Sequence, residues 1–188
     1  MTLKERLFDE NSRVSRFAFG TMIRFLESSV RYRLNNPEKL IKASGIQTGE
    51  TVLEIGCGSG FFTIWASEAV GETGCVYAID MHPMCIEKTS KKIQTHHLTN
   101  VRVIQADAHD TDFENAFFDL ILLYGVVPAP VISLPLLTRE MHRLLRPEGR
   151  LAVWTITPLW SLRPITKTDF FGYRRKKDGV YGFERRGK

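Results

Sequence analysis

Three glycines at alternate positions, Gly56, Gly58 and Gly60, close a β-prone run and open a helical one. Thr51-Val52-Leu53-Glu54-Ile55 has the composition of a buried strand. Residues 61–70 then place Phe62, Trp65, Ala66 and Ala69 at helical spacing. A chain that turns from strand to helix through glycines leaves room for a ligand where Cβ atoms would otherwise stand. The helix that follows turns its unpaired N–H groups toward any negative group entering there.

The same alternation continues downstream. Cys75-Val76-Tyr77-Ala78-Ile79 reads as a second strand closed by Asp80, and Pro83 opens a helix to about residue 97. Residues 101–106 form a third strand ending at Asp107. Residues 118–124 form a fourth, nearly all apolar, as a strand buried on both faces requires. A helix over 133–145 and the turn Pro147-Glu148-Gly149 lead to a fifth strand over 150–156. The pattern predicts an α/β fold: a doubly wound, mostly parallel sheet with helices on both faces and ligand beyond the carboxyl ends of its strands. Asp178-Gly179, between β-prone residues 170–177 and 180–186, predicts a C-terminal antiparallel hairpin. The 188 residues read as a single domain, with an N-terminal helical segment over 1–45, a ligand-binding core over 46–157 and the hairpin region over 158–188. Residues 12–34 fit an amphipathic helix lying over the site as a lid, and Asn36-Pro37-Glu38 the cap and first turn of a helix to Ser44.

The ligand can be narrowed from the same residues. A nicotinamide-type loop spaces its third glycine one place later and needs a small residue at position 61, where this chain has Phe61. A ligand without phosphate, presenting a carboxylate and an amine, suits the loop better, with Glu54 placed to receive the amine directly or through water. Asp80 could accept from a ribose diol and Asp107 from an adenine amino group; each alone fits a helix or turn cap equally well.

Leu53-Glu54-Ile55-Gly56-Cys57-Gly58-Ser59-Gly60 resembles motif I of the class I S-adenosylmethionine-dependent methyltransferases. Tyr77-Ala78-Ile79-Asp80, Gln105-Ala106-Asp107-Ala108, Phe118-Asp119-Leu120-Ile121 and Leu144-Leu145-Arg146-Pro147-Glu148-Gly149-Arg150-Leu151 resemble the family's next four blocks, in order and spacing, over residues 38–157. The resemblance implies S-adenosylmethionine as cofactor. Its methionine moiety would lie along Glu54, Gly56, Cys57, Gly58 and Gly60, its ribose at Asp80 beside Met81, and its adenine at Asp107 and Ala108. Tyr124 falls where donor and acceptor meet. The chain departs from the family after strand five, where residues 157–168, with Pro158 and Pro164, leave room for a single helical turn at most.

A reactive sulfonium needs alignment with its acceptor more than it needs a nucleophile. If the acceptor is a hydroxyl or thiol, a base would help, and His82, His109, Asp110 and Tyr124 stand near strand ends. His96, His97 and His142 fall on helices without partnering carboxylates, so no metal site is expected. Cys57, Cys75 and Cys85 lack Cys-x-x-Cys spacing and read as free thiols of a reducing compartment. Together with an N-terminus without an apolar signal region, they point to the cytoplasm. A thiol at a helix N-terminus, as at Cys57, is a candidate for raised acidity.

Charge bears on partners. Residues 1–45 carry nine Lys/Arg against five Asp/Glu, and residues 163–188 nine against three, around an acidic middle. Basic ends suit nucleic acid or an anionic membrane surface, but no aromatic-basic recognition motif accompanies them, and no Asn/Asp-Pro-Pro-Tyr run follows strand four. Phe61, Trp154, Trp160, Phe170 and Phe171 are candidates to line an apolar pocket. The expected activity is methyl transfer to a small or lipid-like acceptor. The alternatives are a nucleic-acid- or protein-directed methyltransferase and a non-catalytic nucleotide-binding protein of the same fold.

Overall fold

A computed structural model describes residues 35–129, 132–157, 161 and 163–187. The expected helix over 12–34 lies outside them. Helix α1 (Pro37–Ser44) starts where Asn36 Oδ1 accepts the Lys39 N–H at 3.0 Å, and stops at Gly45, whose φ of 82° no other residue type adopts so readily. The chain continues as β1 (Thr51–Ile55), α2 (Thr63–Val70), β2 (Cys75–Asp80), α3 (Pro83–Thr95), β3 (Val101–Gln105) and β4 (Phe118–Tyr124). It ends as α4 (Leu134–Leu144), β5 (Leu145–Trp154), the single turn α5 (Arg163–Thr166), β6 (Phe171–Lys177) and β7 (Val180–Arg185).

The strands form one sheet in the order β3-β2-β1-β4-β5-β7-β6. The first five are parallel, and β7 runs antiparallel between β5 and β6. The hairpin turns at Asp178 and Gly179, with φ of 49° and 85°, as an Asp-Gly turn of the twist-matched type requires. Alternate residues of each central strand enter opposite layers. Val52, Leu120 and Leu122 pack with α1 and α2, whereas Leu53, Ile121 and Leu123 pack with Leu137, Met141 and Leu144 of α4. Burial on both faces explains why β4 reads as an unbroken apolar run.

Two boundaries differ from expectation. Strand β5 begins at Leu145, not residue 150: Phe118 pairs with Leu145 and then Leu120 with Arg150, so Pro147-Glu148-Gly149 makes an excursion inside the strand instead of preceding it. Helix α2 begins at Thr63, because Phe61 and Phe62 are buried anchors of the glycine loop, 2% and 3% exposed. Among the described residues no helix is long and apolar enough to cross a membrane.

The turn into β2 is tightly packed. A Cβ on Gly74 would stand 2.5 Å from Val70 Cβ and 2.8 Å from Glu50 O, so the backbone itself must yield. Gly74→Ala is expected to cost about 1–2 kcal/mol by overpacking, read as a lower urea midpoint at unchanged m-value.

Candidate functional site

A cavity of about 300 Å³ opens at the carboxyl ends of β1, β2 and β4. The glycine loop forms one wall. Gly56, Gly58 and Gly60 all take positive φ, at 74°, 59° and 72°. A Cβ on Gly56 would stand 2.5 Å from Val126 Cγ2, so only a glycine lets the loop pack this closely on the segment after β4. Gly60 faces away from the cavity, toward Thr89 of α3, whose hydroxyl donates to Gly58 O at 3.0 Å.

The loop is stitched to β2. Ile79 O accepts from Gly56 N–H at 2.8 Å and Cys57 N–H at 3.0 Å, and Asp80 Oδ2 accepts from Gly58 N–H at 3.0 Å. Fixing the loop on its neighbouring strand thus takes these three donors. Asp80 Oδ1 accepts from His82 N–H at 2.9 Å. The Cys85 thiol also hydrogen-bonds to Asp80, and the carboxylate lines the cavity. Burial raises the Asp80 pKa above the ordinary carboxylate value, against the pull of the His82 and Gly58 hydrogen bonds. Asp80 is not the cap of α3. That role belongs to His82, whose Nδ1 accepts from Met84 N–H at 3.2 Å.

Asp107 and His109 form the far end. Asp107 Oδ1 accepts from His109 N–H at 3.0 Å and lies 2.6 Å from His109 Nδ1, while His109 Nε2 lies 3.1 Å from Ser133 N. Met81 and Ala108 complete the wall between Asp80 and Asp107. Asp110 is exposed, and only its backbone N–H, 3.2 Å from Asp107 O, joins this turn.

Glu54 does not reach the cavity. It is 2% exposed beneath the loop, and its Oε2 accepts from Thr63 Oγ1 at 2.5 Å, bracing the first turn of α2. Cys57 contributes backbone to the wall. Burial, reinforced by the Glu54 and Asp80 carboxylates, pushes its thiol far above the ordinary range, so raised acidity is excluded.

The rest of the lining is largely apolar. Phe61, Phe62 and Tyr124 meet the cavity with Val126, Ala129 and Ile132. Phe62 packs edge-on against Tyr124 with centroids 5.1 Å apart, and against Trp154 at 5.7 Å. The Tyr124 hydroxyl points away, donating to Leu40 O of α1 at 2.9 Å, and burial keeps it protonated. Tyr124 therefore offers a ring and not a base. Tyr124→Phe is expected to cost about 1 kcal/mol of stability through loss of this tie between β4 and α1, measured by thermal unfolding. Phe170 and Phe171 pack around His142 in the other layer and take no part in the pocket. Trp160 lies outside the described residues. The wall residues Gly125, Val126, Ala129 and Ile132 had no sequence expectation; their only mark is their place directly after the fourth strand.

Residues 46–179 match the family described as a methyltransferase domain. Demethylmenaquinone methyltransferase of Staphylococcus aureus is 34% identical over 115 residues, which is 60% of this chain and 45% of that protein. The Geobacillus sp. enzyme of the same name is 30% identical over 123 residues, 65% of this chain and 52% of its own length. The chain thus spans about half the length of the curated relatives it matches. A SAM-dependent methyltransferase from Aquifex aeolicus superposes with a TM-score of 0.75 at 25% identity, covering 88% of this chain and 96% of the other. The matched span contains β1 through β6, the glycine loop and every lining residue of the cavity. The chain belongs to the S-adenosylmethionine-dependent methyltransferase family.

Proposed function

We propose that this protein transfers the methyl group of S-adenosylmethionine to an apolar, lipid-like acceptor. The carrying observation is the make-up of the cavity lining, in which Asp80, Asp107 and His109 stand among the apolar side chains of Phe61, Phe62, Tyr124, Val126, Ala129 and Ile132. The cofactor fits the acids of the lining: Asp80 at the ribose hydroxyls, Met81 and Ala108 flanking the purine, and Asp107 at its amino group. The loop residues Gly56, Cys57 and Gly58 border the methionine end. When bound, the cofactor supplies a sulfonium methyl already activated for transfer.

The chain's own contribution is then to hold, align and dry the reacting groups. Asp80 fixes the sugar. The rings of Phe62 and Tyr124 exclude water, and Tyr124 presents its face where a positive sulfonium gains from a π-system. Apolar acceptor walls agree with the relatives named for demethylmenaquinone, an apolar acceptor.

Incubation with methyl-labelled cofactor and separate lipid, small-metabolite, RNA and protein fractions tests the reading. Label is expected in the lipid fraction. Label confined to RNA or protein would overturn the acceptor class.

A further inference from the structure

The imidazole of His109 joins two walls of the cavity. Its side chain is 10% exposed, and each nitrogen has a partner. A backbone N–H can only donate, so the Ser133 amide at 3.1 Å assigns the lone pair to Nε2. The proton therefore sits on Nδ1 and is donated to Asp107 Oδ1 at 2.6 Å. The two bonds require the same tautomer, so neither competes with the other. Ser133 immediately precedes α4 and follows Ile132 of the apolar wall. Among the described residues, that wall's backbone is also held at Gly125, whose N–H donates to Trp154 O at 2.8 Å, and by Ile132 N–H to Ala129 O at 3.0 Å.

We infer that His109 is a positioning residue that clasps Asp107 to Ser133, so that the carboxylate at the purine end and the wall at the acceptor end are set by one side chain. The inference rests on the proposed placement of adenosine along Asp80 and Asp107. With the clasp closed, Asp107 is held in one orientation before the ligand arrives, and binding need not order it. With the clasp open, Asp107 keeps only the His109 backbone N–H and the start of α4 loses its tie to it, so part of the ordering falls to binding, which weakens affinity.

The test is a double-mutant cycle on binding of S-adenosylhomocysteine, measured by calorimetry on the full chain. His109→Ala removes both bonds. Ser133→Pro removes the backbone donor alone, at a residue whose φ of −83° a proline ring approaches. Each is expected to weaken binding by about tenfold, the scale of one lost hydrogen bond to a charged or tightly held group. The double variant should lose no more than either single one. In turnover the change should appear in KM for the cofactor and not in kcat.

Should His109→Ala fail to fold, His109→Asn takes its place: its amide reaches Asp107 but not Ser133, and it should match Ser133→Pro. Wild-type affinity in either single variant, or losses that multiply in the double one, would overturn the clasp. Asp107→Ala separates the two levels of the argument. If it binds like wild type, the placement of adenosine fails. If it loses affinity while the His109 and Ser133 variants do not, the placement stands and only the clasp fails.

Discussion

Asp80→Ala is expected to weaken S-adenosylmethionine binding by about 10- to 150-fold, the equivalent of about 1.5–3 kcal/mol for hydrogen bonds to a charged group. A carboxylate offers about four acceptor lobes; the Gly58 and His82 amides occupy one on each oxygen and the Cys85 thiol takes another. The acceptor capacity that remains, with the charge behind it, is what a ribose hydroxyl would meet, and alanine removes it. Stability should respond differently. Burial raises the folded-state pKa of Asp80, so this group favours folding when protonated. Its contribution is complete below the unfolded carboxylate pKa and is lost as pH rises through the higher folded value. At neutral pH the buried charge offsets much of what its two backbone hydrogen bonds provide. The variant should therefore unfold within about 1 kcal/mol of wild type while binding poorly. Calorimetry and urea unfolding on one preparation decide it. Unchanged affinity with lowered stability would reduce Asp80 to a tie between the glycine loop and β2.

Such a separation is expected where sequence and fold agree on architecture and part company in detail. The strands were legible because a doubly buried strand such as Phe118–Tyr124 can hardly be anything else, and the strand ends located Asp80 and Asp107 by the rule for open α/β sheets. What escaped depends on partners distant in sequence. Glu54 looks available to a ligand until Thr63 is seen to hold it. The N–H groups of Gly56 and Cys57 look free until Ile79 of the neighbouring strand takes both. Tyr124 looks like a base until its hydroxyl is found on Leu40, 84 residues earlier. Pro147-Glu148-Gly149 has turn composition, yet the pairing of Phe118 with Leu145 draws it into β5 as a bulge. In each case a local preference is overruled by register between segments that no spacing reveals.

The largest stability effect is expected one layer behind the site, at Glu140 of α4. Its Oε1 accepts from Thr111 N–H at 2.9 Å, Thr111 Oγ1 at 2.7 Å and Arg143 at 2.6 Å, and its Oε2 from Arg143 Nε at 2.8 Å. Arg143 also donates to Phe113 O at 2.7 Å and Thr111 O at 3.0 Å, so the pair pins the loop between β3 and β4 to the helix. Burial alone would raise the Glu140 pKa, but the hydrogen bonds from Arg143 and Thr111 outweigh it and the net shift is downward. The stabilisation is therefore complete above the unfolded value of 4.5 and is lost as pH falls through the lower folded one. Glu140→Ala should cost about 2–3 kcal/mol at pH 7, below the range for breaking a fully buried pair because Arg143 is partly exposed. Glu140→Gln should flatten the acid limb of the stability curve. Urea midpoints at pH 7 and below pH 4.5 for both variants give the comparison; equal losses at the two pH values would show that packing and not the charge holds the loop. Because that loop starts with Asp107 and His109, Glu140→Ala should also weaken cofactor binding, but by less than Asp80→Ala, since it loosens the support of the wall and leaves every cavity-lining residue in place.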